Sequence, residues 1–366
     1  MFTHTSEIEH TLGREEVVSG ITALCRHFGA YSDMEGTWEG NVFTFTVSVQ
    51  GVPLRSTVHV EEGRLKVECE APLYGSMFAD RPSLMMRAAL QPRANKVAPA
   101  EPPPEAGSSP AVVFLHLPKA GGLSLSEYIA HQCSYGEQVE AAGLLRGGIL
   151  YLQHGFFKAA DLAPPSYIRP FLRRPDLRAV VGHLTFGLHE HLTRPWTYVT
   201  LLRDPVERIV SMYYFLGLQE QMSLEQFAAD PPFREIDNDQ TRRIAGVDPA
   251  LGALTREALE TAKENLRRHF SVVGTSERFD ETLVLLHRRL GWTREVPARR
   301  LNATPEREPV SSLPSSSVEA IRGWNELDCE LHRFADEWMD QAIAEEGPAF
   351  QDDLARRRGL QAVPQG

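Results

Sequence analysis

A lysine, two glycines and a serine follow a run of apolar residues near the middle of the sequence. The stretch VVFLHLPKAGGLSL, residues 112–125, combines a β-type apolar run, the loop PKAGG and a segment with the apolar spacing of a helix. Backbone N–H groups of a glycine-rich loop can approach an anion closely, and the N-terminus of the following helix adds about half a positive charge. Lys119 adds a full charge. The stretch therefore predicts a phosphate-binding loop, with a glycine-rich turn and a solvent-exposed lysine as the alternative.

A second cationic segment lies further along the chain, in TYVTLLRDPVERIVSMYYF, residues 197–215. An apolar strand ends at Arg203, and Asp204 is placed to cap a helix that carries Ser211 on the same side as Arg203. Ligands of α/β sheets bind beyond the carboxyl ends of the strands. We therefore expect Lys119 and Arg203 to face one ligand that has phosphates at both ends.

A histidine follows a third apolar run, at His183 in VVGHLTF. An imidazole that titrates near neutrality suits a general base. Taken alone, His183 is more simply explained as a structural histidine. Weaker candidates for the same role are His116, His189, Glu190 and His191.

The elements that position these residues define two bodies. Residues 111–345 have the strand-loop-helix order of an α/β domain, a parallel sheet flanked by helices. Residues 1–93 predict a small α+β domain made of a helix, a three-strand antiparallel meander and a second helix from about residue 76 to 90. A proline- and alanine-rich linker over 94–110 separates them, and 346–366 is expected to form a flexible tail.

Composition narrows the function classes. The formal charge of −11 argues against a broad nucleic-acid-binding surface. The four cysteines form no CxxC pair, which predicts reduced thiols and no zinc site, and therefore a cytoplasmic protein that uses no metal. No apolar run reaches the length of about 18 residues that would predict a membrane span.

Several motifs in the second body resemble those of sulfotransferases that use 3'-phosphoadenosine 5'-phosphosulfate (PAPS), in particular the branch with heparan sulfate 2-O-sulfotransferase. The resemblance extends over about 230 residues in the same order and rests on these motifs: PKAGGLS at 118–124, VVGHLTFGLHE at 180–190, RDPVERIVSMYYF at 203–215, DNDQTRRIAG at 237–246, VVGTSERFDETLVLL at 272–286 and NELDCELHRFADEWM at 325–339.

This resemblance implies a P-loop-like fold and transfer of a sulfuryl group from PAPS to a hydroxyl acceptor, for which a carbohydrate is the expected class, leaving PAP. It implies that Lys119 stabilises the transferred group, that His183 is the base, and that Arg203 and Ser211 hold the 3'-phosphate. The 5'-phosphosulfate would be held by Lys119, Ala120, Gly121, Gly122, Leu123 and Ser124.

Two positions depart from that family pattern. Ala120 and Leu123 stand where the family has threonines, so two hydroxyl donors to the 5'-phosphate are missing. Each lost hydrogen bond to a charged group costs about 1.5–3 kcal/mol. We therefore expect weakened donor binding. Arg242, Arg243 and residues 216–233 are the expected lining of the acceptor entrance.

The first body resembles the polyhydroxyalkanoic acid system proteins, a bacterial family, through IEHTLGREE at 8–16, WEGNVFTFTVSVQG at 38–51 and LKVECEAPL at 65–73. That resemblance implies a granule or protein partner. A second hypothesis is therefore a granule-associated protein that binds a nucleotide and transfers nothing. A nucleoside-triphosphate kinase is a third, and it ranks last because no GK[ST] loop is present.

Overall fold

The structure is a computed structural model of the 366-residue chain. It describes residues 2–29, 35–49, 52–72, 82–83, 86, 110–134, 139–140, 145–152, 169–220, 222–231, 233–294 and 308–361. The chain divides into two compact units, one formed by 1–103 with 139–145 and the other by 104–138 with 146–366. The predicted linker up to residue 109 and most of the predicted second N-terminal helix lie outside the described residues.

The N-terminal unit is an antiparallel sheet with a helix. Its strand order is β1-β5-β4-β3-β2. The core consists of the residues at alternate positions of the strands, such as Phe43, Phe45, Val58 and Val67, together with Val17 of the helix. The bounds are β1 Phe2–Glu9, α1 Arg14–Gly29, β2 Glu35–Glu39, β3 Val42–Val49, β4 Val52–Glu61 and β5 Arg64–Ala71.

The three predicted strands are present as the meander β3, β4 and β5, and two further strands flank them. β1 has the sequence FTHTSEIE, and only Ile8 is buried among its eight residues. A strand with so little apolar alternation is difficult to recognise, because its residues are mainly polar and exposed. The position of β1 in the sheet is set by its antiparallel pairing with β5, from Phe2 opposite Ala71 to Glu9 opposite Arg64.

The C-terminal unit confirms the α/β prediction. Five parallel strands lie in the order β12-β11-β6-β10-β9. All five residues of β6 and all four of β10 are buried, as expected when helices cover both faces of a parallel sheet. The remaining strands of the chain are β6 Ala111–Leu115, β7 Val139–Glu140, β8 Leu145–Arg146, β9 Ile149–Leu152, β10 Ala179–Gly182, β11 Trp196–Leu202 and β12 Phe270–Thr275.

Helices follow the strands and begin at recognisable caps. Asp204 accepts a hydrogen bond from the Glu207 amide at the start of one helix, and Ser223 forms a reciprocal capping box with Gln226 at another. The helices are α2 Gly122–Cys133, α3 Arg169–Leu172, α4 Pro205–Phe215, α5 Leu224–Ala229, α6 Asp239–Ala245, α7 Arg256–His269, α8 Phe279–Leu290, α9 Ser315–Trp324, α10 Glu326–Glu346 and α11 Ala349–Gln361.

The last helix corrects the prediction of a flexible tail from residue 346. Phe350 and Leu354 of α11 are buried in the same core as Leu283 of α8 and Met339 of α10. These two apolar residues are four apart and therefore share one helix face. They attach residues 349–361 to the domain.

Candidate functional site

The candidate site is formed by the segments that leave the carboxyl ends of four neighbouring parallel strands. β6 leads to His116 and Lys119, β10 to His183, β11 to Arg203, and β12 to Ser276. In an open α/β sheet this edge is where ligands bind. The structure therefore brings three predicted residues, Lys119, His183 and Arg203, to one edge of the sheet.

The loop between β6 and α2 has the conformation of an anion-binding turn. Lys119 and Gly121 both have left-handed backbone angles, with φ of 64° and 77°. A left-handed conformation is unusual for a lysine and indicates a constrained loop. Helix α2 then begins at Gly122 without a side-chain cap. The helix dipole favours an anion at this N-terminus.

The ring of His116 explains why residue 122 is a glycine. A Cβ atom at Gly122 would lie 1.9 Å from Cδ2 and 2.0 Å from Nε2 of His116. No side chain fits at that distance. The His116 ring therefore packs directly on the backbone at the junction of the β6–α2 loop and α2.

Arg203 is joined to this loop by a hydrogen bond. Its Nη1 donates to the carbonyl of Lys119 at 2.9 Å, and its Nη2 pairs with Glu207, one turn along α4, at 3.2 Å. The prediction that Lys119 and Arg203 converge agrees with this contact. The guanidinium is half-buried beside the loop.

Ser276, after β12, joins the same two segments. Its hydroxyl lies 2.7 Å from the carbonyl of Ala120 and 3.1 Å from that of Leu202. The next residue, Glu277, accepts a hydrogen bond from the Asp204 amide at 3.1 Å. The motif VVGTSERF contains this serine, but the sequence alone predicts no role for it.

The Lys119 side chain lies over an aromatic ring. Its Nζ is 3.8 Å from the centre of the Phe215 ring, at the end of α4, which is a cation–π distance. Phe215 and Leu123 are both large apolar side chains that are about half exposed. Lys119 is therefore located at the surface opening of the site.

His183 and His116 form a pair. Their ring centres are 4.3 Å apart in a T-shaped arrangement, and His183 is half-buried. The His116 amide donates to the Gly182 carbonyl, which extends the β6–β10 ladder and holds the two histidines side by side. Burial, together with the charges of Arg243 and Lys119, lowers the pKa of His116 to about 3. His116 is therefore neutral at physiological pH.

The other predicted residues lie elsewhere or carry out other tasks. His189 packs on Trp196, the first residue of β11, with ring centres 4.4 Å apart, so the segment Leu188–His191 lies at the opposite edge of the sheet. Ser211 is buried in α4, and no hydrogen bond joins it to Arg203 in the described part of the chain. Of the loop residues, Ala120, Gly122 and Ser124 are buried, while Gly121 and Leu123 are exposed.

The sequence predicts that Arg242 and Arg243 line the acceptor entrance. The structure places neither of them at the surface. Both are buried and ion-paired, Arg242 with Asp237 at 3.2 Å and Arg243 with Asp239 at 3.0 Å. A buried charge requires such a partner, and the four residues belong to one short segment, DNDQTRR. They form part of the internal support of the site.

Within the ranges that the structure describes, no group of three or more His, Cys, Asp or Glu side chains is arranged to hold a metal ion. The described helices include none that combines the length and the apolar character needed to cross a bilayer.

A parallel sheet with a glycine loop, a helix N-terminus and two cationic side chains at its carboxyl edge is the arrangement found in α/β proteins that bind phosphate-containing ligands. Comparison with known sequences then gives the family. The Galactose-3-O-sulfotransferase family model matches residues 165–359, more than half of the chain, and the chain belongs to this family. The matched range contains His183, Arg203 and Ser211, whereas the loop with Lys119 precedes it.

Individual relatives agree with this assignment. Galactose-3-O-sulfotransferase 3 of Bos taurus is 29% identical over 218 residues, which are 52% of this chain and 49% of the relative. Galactosylceramide sulfotransferase of Mus musculus is 29% identical over 202 residues, covering 47% and 46%. Galactose-3-O-sulfotransferase 2 of Homo sapiens is 31% identical over 187 residues, covering 46% of each chain. The chain thus matches about half the length of these relatives.

These findings confirm the prediction of a sulfotransferase family and correct two others. The family is the galactose-3-O one, whereas the motifs pointed to the heparan sulfate 2-O branch. The prediction of a bacterial, cytoplasmic protein is contradicted, because the relatives are animal galactose sulfotransferases of the Golgi that are membrane-anchored. Nothing in the comparisons supports the polyhydroxyalkanoic acid system resemblance or a granule partner.

Proposed function

We propose that this protein transfers the sulfuryl group of PAPS to the 3-hydroxyl of a galactose residue in a carbohydrate or glycolipid acceptor. The observation that carries the proposal is the hydrogen bond from Arg203 to the Lys119 carbonyl, at 2.9 Å. It joins the predicted 3'-phosphate residue to the predicted phosphosulfate loop. The family match and the names of the relatives supply the galactose acceptor.

The residues at the loop fit the donor. An uncapped helix N-terminus, two left-handed residues and a lysine suit an anionic group, and the close packing at Gly122 leaves no room for a side chain that would block it. Ser124 is the hydroxyl that remains in the loop, since Ala120 and Leu123 replace the two threonines. We infer that backbone amides and Lys119 contribute most of the interaction with the 5'-phosphosulfate.

Each residue has a chemical task in this proposal. PAPS, when bound, supplies the sulfuryl group. Lys119 and the loop amides stabilise the negative charge that develops on the transferred and leaving oxygens. His183 accepts the proton of the acceptor hydroxyl. Its half-buried imidazole follows β10 at the carboxyl edge of the sheet, which is a suitable position for a base. Arg203 binds the 3'-phosphate, and Ser211 of α4 assists it.

The proposal is tested by incubating the full chain with labelled PAPS and a matched pair of acceptors, lactose and cellobiose. Both are disaccharides, and they differ in whether the terminal sugar is galactose or glucose. We expect lactose to gain one sulfate at the galactose 3-hydroxyl, with cellobiose unmodified. Galactosylceramide in detergent micelles tests the glycolipid class. The readout is mass spectrometry followed by linkage analysis.

Lys119→Met provides the negative control, since it keeps the length of the side chain and removes its charge. Binding of PAP by the wild-type chain is measured in parallel. If the chain binds PAP but sulfates no galactoside, the proposed acceptor is wrong. If it does not bind PAP, the proposed donor is wrong as well.

A further inference from the structure

We propose that Gln240 is the positioning residue for Arg203, and that it thereby determines how strongly the protein distinguishes a donor with a 3'-phosphate from one without. This inference rests on the proposed role of Arg203. It concerns a residue in DNDQTRRIAG, a motif to which the proposed function assigns no task.

The contact is a two-point clamp on the backbone. The Arg203 amide donates to Oε1 of Gln240 at 3.0 Å, and Nε2 of Gln240 donates to the Arg203 carbonyl at 2.9 Å. A side-chain amide that bonds both the N–H and the C=O of one residue acts as an additional strand would. It fixes the position from which the Arg203 side chain leaves β11. Gln240 is fully buried, so water does not compete for these bonds.

Gln240 is itself fixed from two directions. The carboxylate of Asp328, near the start of α10, accepts hydrogen bonds from the amides of Gln240 and Thr241 at 3.1 and 2.7 Å. In return, Oδ1 of Asn238 accepts from the amides of Leu327 and Asp328, both at 2.9 Å. Helices α6 and α10 therefore cap each other. This exchange explains why a short helix of seven residues can hold a side chain rigidly.

A precise position matters because Arg203 already makes two contacts on different elements, with the loop carbonyl of Lys119 and with Glu207 of α4. A shift of its backbone would separate the guanidinium from the loop. A hydrogen bond to a charged group contributes about 1.5–3 kcal/mol, so a misplaced guanidinium costs about tenfold or more in affinity for the 3'-phosphate. No hydrogen bond described for Gln240 reaches the loop or α2 directly, so we expect the 5' side of the site to be affected less than the 3' side.

The test compares two ligands that differ only in the 3'-phosphate, PAP and adenosine 5'-monophosphate. Gln240→Met keeps the approximate length of the side chain and removes both hydrogen bonds. We expect its affinity for PAP, measured by calorimetry, to fall about tenfold or more, as it should in Arg203→Ala, while its affinity for adenosine 5'-monophosphate changes less than about twofold. A purely structural role would lower both affinities together.

A matched control comes from the other end of α6. Asn265 donates from its side-chain amide to the Ile244 carbonyl at 2.9 Å, so Asn265→Leu also removes one amide–backbone bond to this helix. It should leave the PAP preference unchanged. If Gln240→Met does not fold, Gln240→Glu is measured in its place, because it retains the shape of the side chain and the acceptor for the Arg203 amide. Its affinities for PAP and adenosine 5'-monophosphate are then compared in the same way.

Equal losses for both ligands, or an unchanged PAP affinity in a folded variant, would refute the role of Gln240. Failure of the wild-type chain to bind PAP more tightly than adenosine 5'-monophosphate would instead remove the 3'-phosphate site, and with it the proposed donor. The two failures are thus separate.

Discussion

Gly122 is required by its neighbour rather than by its own backbone angles. The His116 ring occupies the position of a β-carbon at this residue, and the same ring lies edge-on to His183. One neutral histidine therefore contacts both the predicted phosphate-binding loop and the predicted base. Single substitutions at Gly122 and His183 can separate these two contacts.

Gly122→Ala should abolish PAP binding, because the new methyl group must displace either the His116 ring or the first turn of α2. Affinity for PAP, measured by calorimetry, is the readout. Gly323→Ala is the matched control, since a β-carbon at this helical position has open space around it. This substitution should be neutral or should stabilise the protein by about 0.5–1 kcal/mol. Wild-type affinity in Gly122→Ala would show that the loop adapts and that the packing of His116 is unimportant.

His183→Ala should lower turnover by a factor of about 10² to 10⁴, because a general base acts in the transition state. Affinity for PAP and the melting temperature should stay close to those of the wild type. His191→Ala serves as the control, because His191 lies in the segment at the opposite sheet edge. A His183→Ala variant that melts much earlier would favour the structural interpretation of this histidine.

At the scale of elements, the strand-loop-helix units could be predicted because their signals are local. The apolar run of β6, the glycines before α2 and the Asp204-Pro205 start of α4 lie within a few residues of each other. The clamp of Gln240 on Arg203 could not be predicted, because it joins residues 37 positions apart through side-chain atoms. The mutual capping of α6 and α10 spans about 90 residues. Such contacts depend on the tertiary arrangement of the chain.

Helix α11 was missed for a related reason. In AFQDDLARRRGLQ, charged residues are as numerous as apolar ones, and Phe350 and Leu354 are the apolar residues with described burial that lie in the core. The helix is defined by the surface of α8 and α10 on which it packs. Its sequence taken alone is typical of a solvated tail.

Phe350→Ala should therefore destabilise the C-terminal unit by about 3–5 kcal/mol, the usual cost of removing a buried phenyl ring. Urea unfolding followed by circular dichroism measures the change. The adjacent Gln351→Ala alters an exposed residue of the same helix and should change stability by less than about 0.5 kcal/mol. Equal stability of the two variants would mean that residues 349–361 are not part of the core.

At the scale of the whole molecule, buried neutral histidines connect stability to pH. The pKa of His116 is lowered to about 3, chiefly by burial, and burial also lowers the pKa values of His189 and His269. Between about pH 6.5 and 3, the unfolded chain binds a proton at position 116 that the folded chain excludes. Stability therefore rises with pH across this window and is lost as the pH falls. Burial alone would lower the pKa of His332, but its hydrogen bond with Glu277 and the nearby carboxylate charges leave that pKa raised. His332 therefore changes stability with pH in the opposite direction.

We expect the melting temperature to decrease as the pH is lowered from 7 towards 4, and His116→Asn to decrease less steeply, since asparagine does not titrate. The comparison concerns slopes, because the substitution also changes the stability at neutral pH. Parallel slopes would mean that His116 does not supply the pH dependence. Scanning calorimetry at four or five pH values is sufficient.

The mutual capping of α6 and α10 has a consequence for synthesis of the chain. The amides of Gln240 and Thr241 receive their acceptor from Asp328, which leaves the ribosome about 90 residues later. Until then α6 lacks its cap and Gln240 has no fixed position, whereas the loop from β6 to α2 has already been made. An unfinished polypeptide thus contains the 5' half of the proposed nucleotide site without an ordered 3' half. We therefore expect truncated products that end before residue 326 to bind PAP more weakly than the full chain does.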